Sequence, residues 1–146
     1  VAVGATDSGS VFISNRTGVW RTRDRGENWE NLQFEKFSDI CYSRGVQVAP
    51  NDPNTVYACV GMSSGSVVGG VLQSTDQGDT WHRFDKGVSP GSTTFGVAIN
   101  AQAPEQVYFC SRKGQVFGTL DGGATWKEHT IPETATNLIS VACASA

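Results

Sequence analysis

Arginines and aspartates in stretches expected to form loops have the most capacity for chemistry in this chain. Arg16, Arg44 and Arg112 recur in such stretches, each a permanent positive charge with a rigid fork of donors. Asp7 and Asp39 could supply the two facing carboxyl groups that glycoside hydrolysis needs. Three more aspartates, Asp24, Asp76 and Asp121, share one repeated setting. Their repetition argues against catalysis, because an active site is normally built once. His82 and His129 follow a tryptophan by one and three residues and are expected on the solvated side of outer strands rather than at a metal. No Walker loop, dinucleotide-binding glycine motif or Asp-x-Asp-x-Asp calcium loop occurs. The sequence predicts no cofactor, no metal site and no catalytic residue of its own.

The elements that must position these residues come from an internal repeat. Three segments read Ser/Thr-x-Asp-x-Gly-x-Thr/Asn-Trp, recurring after 52 and then 45 residues. The first contains Thr22, Asp24, Gly26 and Trp29. The second contains Ser74, Asp76, Gly78 and Trp81, and the third Thr119, Asp121, Gly123 and Trp126. Short apolar strands precede each segment, as at Val19-Trp20, Val71-Leu72 and Val116-Phe117, and earlier at Val11-Phe12, Val56-Tyr57 and Val107-Tyr108. Val1, Val46 and Val97 open a further alternation, and each repeat tryptophan starts a more polar strand. Every unit thus has four strands of about five residues with turn signals between them. Within the repeated turn the aspartate can accept from turn amides and the glycine can take a positive φ. The tryptophan offers apolar area to a neighbouring unit.

The pattern resembles the Asp-box, or bacterial neuraminidase, repeat found in sialidases, xyloglucan-degrading glycosidases, sortilin-type receptors and photosystem II assembly factors. The resemblance implies an all-β fold, a β-propeller segment of about three four-stranded antiparallel blades plus one extra inner strand. The blades fall at about 1–36, 37–88 and 89–132, with an unfinished strand of a fourth at about 137–146. The same box serves enzymes, receptors and assembly factors, so it does not fix activity. Resemblance to sialidases implies a carboxylate held by three arginines from different blades, and Arg16, Arg44 and Arg112 lie in the matching loops, but no Arg-Ile-Pro precedes the first box and no Tyr and Glu pair stands out. Asp7 is expected at the opposite end of the strands from Asp39, which weakens a hydrolytic pair.

Propeller ligands generally meet the loops between outer and next inner strands and between second and third strands. Here those are 34–44, 86–94 and 128–137, with 15–17, 60–69 and 111–114. Loops on a rigid scaffold are where binding residues concentrate, so Arg16, Asp39, Tyr42, Arg44, Met62, Arg112 and Lys113 are the candidate ligand-binding residues. The function expected is a non-catalytic scaffold that binds a protein or glycan through this face. The alternative is a fragment of a secreted glycoside hydrolase, sialidase- or xyloglucanase-like.

Composition agrees with short strands and tight turns: 17 glycines in 146 residues, with 17% charged. A net charge of -3 and scattered basic residues give no footprint for nucleic acid. The apolar runs are too short for a membrane span. Cys41, Cys59, Cys110 and Cys143 have no zinc spacing and are expected to be buried thiols, with disulfides open in an oxidising compartment. Asn15-Arg16-Thr17 matches the glycosylation acceptor pattern. The absent initiator Met fits a processed or excised product, and Asp-box proteins are mostly exported, so export is expected. Both ends cut through a repeat without capping sequence. The chain is therefore read as part of a larger propeller, with ring closure by self-association as the other reading.

Overall fold

The computed structural model describes residues 2–3 and 9–144, with side chains from residue 9 onward. Runs of β-branched and aromatic residues separated by Gly, Asn and Asp turns form three antiparallel sheets of four strands each. The first sheet comprises β1 (Ala2–Val3), β2 (Val11–Asn15), β3 (Gly18–Thr22) and β4 (Glu30–Asn31). The second comprises β5 (Tyr42–Ala49), β6 (Asp52–Gly61), β7 (Gly69–Ser74) and β8 (His82–Arg83). The third comprises β9 (Thr94–Asn100), β10 (Ala103–Ser111), β11 (Val116–Thr119) and β12 (Lys127–His129). Each sheet is a meander in chain order. Among the described residues the remaining regular element is a single 3-10 turn at Phe34–Lys36. Among the described residues no helix is long and apolar enough to cross a membrane.

Strand lengths depart from the uniform five expected from the sequence. β6 runs for 10 residues, whereas β4 and β8 run for 2. Each outer strand has one bonded edge, and its next residue, Leu32 or Phe84, turns into the core while its amide still donates to Val19 or Val71 at 2.9 Å.

The sheets stack face to face, and the two-residue period of a strand sends alternate side chains to opposite neighbours. In β6, Val56, Ala58 and Val60 join a core with Phe12, Val19, Leu32 and Phe34 of the first sheet. Tyr57 and Cys59 face the other way, into a core with Val97, Ile99, Val107, Phe109 and Phe117 of the third. All four cysteines are free thiols. Cys59 and Cys110 are buried at matching positions of β6 and β10, and burial pushes both thiols up.

The inner strands approach backbone to backbone. A Cβ on Gly45 of β5 would stand 2.5 Å from the Phe95 carbonyl oxygen, and one on Gly96 of β9 would stand 2.7 Å from the Ser140 Cα. Residues 138–144 therefore lie on β9 much as β9 lies on β5. They form no ladder, because a strand also needs a hydrogen-bonded partner at its edge and the described chain offers none there.

Candidate functional site

The repeated turns lie at one end of the sheets, and their hydrogen bonds are nearly superimposable. Thr22 Oγ1 donates to Asp24 Oδ1 at 2.7 Å and accepts from the Gly26 amide at 2.9 Å. Asp24 in turn accepts from the Asn28 amide at 2.9 Å and its side-chain Nδ2 at 2.7 Å. Ser74, Asp76, Gly78 and Thr80 repeat this pattern, as do Thr119, Asp121, Gly123 and Thr125. Both oxygens of each carboxylate are thus engaged inside their own turn. Hydrogen bonds from Asn28 hold Asp24 down at about 2, and those from Thr125 do the same for Asp121. At Asp76 burial pushes the carboxyl up, but the bonds from Thr80 and Ser74 outweigh it and leave it at about 2. An acid held this low donates no proton at neutral pH.

The glycine of each turn has positive φ, and so does the residue before it: Arg25 at 60°, Gln77 at 58° and Gly122 at 68°. The turn tryptophans differ in surroundings. Trp81 is 5% exposed against Phe34, whereas Trp29 is 40% exposed. Trp126 is half-buried against Phe84 and Phe109.

The opposite end carries the candidate ligand-binding residues. Tyr42 and Arg44 start β5, with the Arg44 guanidinium 5.1 Å from the Tyr42 ring centroid and 5.6 Å from that of Phe95. Arg112 approaches the same Phe95 ring at 5.9 Å and donates to the Ser64 carbonyl at 2.6 Å. Lys113 is anchored by its amide, which donates to Ser92 Oγ at 3.0 Å, and its side chain is exposed. Tyr42 Oη is buried without a hydrogen-bond partner. The structure thus brings Tyr42, Arg44 and Arg112 together on Phe95, with Lys113 next along the loop.

Arg16, Asp39 and Met62 are exposed, and no hydrogen bond, ion pair or ring contact joins them to that cluster. Asp7 lies outside the described residues. His82 is exposed and pairs with Gln73 Oε1 at 3.0 Å. His129 is half-buried 5.9 Å from Tyr108, because β12 turns it onto the face of the third sheet rather than into solvent. No group of three His, Cys, Asp or Glu suited to a metal occurs among the described residues.

Between the loop after β6 and the loop after β10 lies a cavity of about 500 Å³. Ser64, Ser66, Ser92, Arg112, Lys113 and Asn137 line it, together with Gly65 and Thr136. Sequence reasoning missed Phe95 and the hydroxyl-bearing residues. Phe95 was within reach: it precedes Gly96 as Arg44 precedes Gly45, so aligning the inner strands would have found it.

No protein-family profile matches the chain. A xyloglucanase of Paenibacillus sp is 30% identical over 126 residues, covering 77% of this chain and 12% of that enzyme. Among solved structures, the GH74 xyloglucanase of Xanthomonas campestris aligns with TM-score 0.64 at 19% identity, over 83% of this chain and 19% of that one. A chain of a nidogen/laminin complex aligns with TM-score 0.71 at 11% identity, over 98% and 51% respectively. At these identities structural likeness shows the fold alone, that of a β-propeller segment. The chain spans 12–16% of the length of the curated relatives it matches.

Proposed function

We propose that this propeller segment is a non-catalytic binding element that engages a glycan through its loop face. The observation that carries this reading is the cavity beside Phe95, where side-chain hydroxyls, an amide and two cationic side chains converge. Such a set offers donors and acceptors to the hydroxyls of a saccharide. The similarity to xyloglucanases favours a glycan over a protein as the partner. Isothermal titration of the chain with glycan oligosaccharides tests it: saturable binding is expected, and no binding to any of them overturns it.

The same similarity supports the alternative, a part of a glycoside hydrolase. Hydrolysis would need two carboxyl groups roughly 5–9.5 Å apart across the bound sugar, and no carboxylate lines the cavity. The expected result with xyloglucan is therefore no release of reducing ends by this chain alone. Export belongs to the same reading, supported by the resemblance to exported Asp-box proteins.

A second reading rests on Trp29. Its counterpart Trp81 is buried against the preceding sheet, and a Cβ on Gly78 would meet Leu32 and Phe12 of that sheet. A Cβ on Gly26 meets nothing within 4 Å. The outer face of the first sheet is thus equipped to receive another blade, from a second copy or from further sequence. Sedimentation at rising concentration checks the first source: self-association that Trp29→Glu abolishes is expected, and a concentration-independent monomer removes it.

A further inference from the structure

The cavity that supports the glycan reading carries a charge pattern a neutral saccharide does not explain. Both ionisable groups lining it, Arg112 and Lys113, are cations. Among the described residues no carboxylate lies within ion-pair distance of either, or of Arg44; the five ion pairs present involve Arg21, Arg23 and Arg83. Like charges gathered without counter-charge repel, and in a chain of net charge -3 their clustering needs a cause. Acidic residues stand at both ends of the strands, Asp24, Asp52, Asp76, Asp79, Glu105 and Asp121 in or beside the hairpins and Glu35, Asp39, Glu128 and Glu133 in the loop-face segments, but none lines the cavity.

Arg112 is also preorganised. One of its N–H groups donates to the Ser64 carbonyl, and its guanidinium lies over the Phe95 ring, whose other cationic neighbour is Arg44. The negative face of an aromatic ring holds a guanidinium without neutralising it. That leaves the rest of the fork free to bind a planar or tetrahedral anion, the geometry in which arginine outperforms lysine. Around the fork stand Ser64, Thr136 and Asn137, groups that match ring hydroxyls, while the Ser66 hydroxyl is already bonded to the Val68 backbone. Arginine clusters also recognise acidic peptides, so it is the hydroxyl and amide groups beside the two cations that favour a saccharide, and polyglutamate separates the two below.

We infer that this cavity binds an acidic sugar residue, with its carboxylate or sulfate held by Arg112 and Lys113 and its hydroxyls read by Ser64, Thr136 and Asn137. The inference rests on the glycan reading above and narrows it to anionic saccharides.

Titration of the intact chain with four probes of similar length tests it: an oligogalacturonate, a sulfated chondroitin oligosaccharide, a xyloglucan oligosaccharide and polyglutamate. An acidic oligosaccharide is expected to bind at least about tenfold more tightly than xyloglucan, and to weaken as salt is raised. Which acidic probe binds better identifies the group as carboxylate or sulfate. Arg112→Gln should weaken that binding about tenfold or more, with Arg112→Lys recovering only part of it. Lys113→Gln should also weaken it. The Lys113 side chain is exposed and makes no hydrogen bond or ion pair among the described residues, so this variant keeps the test valid if Arg112→Gln unfolds. Xyloglucan binding equal to or tighter than the acidic probes, unchanged in Lys113→Gln, overturns the acidic assignment and leaves the glycan reading standing. Equal binding of polyglutamate overturns it as a general polyanion surface. No binding of any saccharide overturns both.

Discussion

Trp81 meets Phe34 edge to face, with ring centroids 4.7 Å apart and planes at 62°, so the turn of the second sheet ends inside the core of the first. The same residue type at Trp29 has no such seat. Trp81→Ala should therefore cost about 3–5 kcal/mol, and Trp29→Ala about 1 kcal/mol or less. Urea unfolding of both variants measures the difference, and equal costs would show that the indole stabilises its own turn rather than the stack.

Arg21 joins the same two sheets by another means. It is 2% exposed and donates to Asp79 Oδ1 at 2.8 Å, Glu30 Oε1 at 2.8 Å and the Gln77 carbonyl, while both carboxylates remain about half exposed. Removing the carboxylates leaves a buried cation, whereas removing the cation leaves two acids in water. The double variant Glu30→Ala/Asp79→Ala should cost about 3–5 kcal/mol. Arg21→Met should cost less, about 1–3 kcal/mol. The reverse order in chemical denaturation would place the stabilising group on the acids.

Acid should weaken the fold in a defined window. The folded pKa of about 2 at Asp24, Asp76 and Asp121 lies below the ordinary 3.8. A depressed carboxylate contributes stability that is full above its unfolded pKa and disappears as pH falls through its folded one. Denaturant midpoints should thus hold near neutrality and fall between pH about 4 and about 2. Asp76→Asn should flatten part of that decline, and an unaltered slope would mean that other groups govern it.

Two glycines permit the close approach of the inner strands. Gly45→Ala and Gly96→Ala place a methyl against the Phe95 carbonyl and the Ser140 backbone and should each cost about 1–3 kcal/mol. Gly65→Ala, whose Cβ meets nothing within 4 Å, should be nearly neutral. Thermal melts of the three variants check the contrast.

The sequence made the turns and the stacking legible because both are repeated: Asp24, Asp76 and Asp121 appear three times in one frame, and period-two alternation assigns Val56 and Tyr57 to opposite cores. The loop face was legible in part. Arg44 and Arg112 stood out as charges in loops, but what unites them is Phe95, an aromatic residue that reads as ordinary strand. The cavity depends on the path of residues 60–69, which has no period to read. Arg21 hid for a different reason. A charged residue in a strand is expected in water, and only its alternation with Val19 hints that it faces the next sheet.

The stacking contacts also have a direction. The second and third sheets each send their turn indole to the sheet before them and receive the segment that follows on a glycine, so the two outer faces of the array differ in kind. Identical copies joined through them must meet head to tail. Such heterologous contacts close into a ring when the rotation between copies divides the circle, and otherwise extend into a filament. The angle between successive sheets thus limits how large an assembly can become.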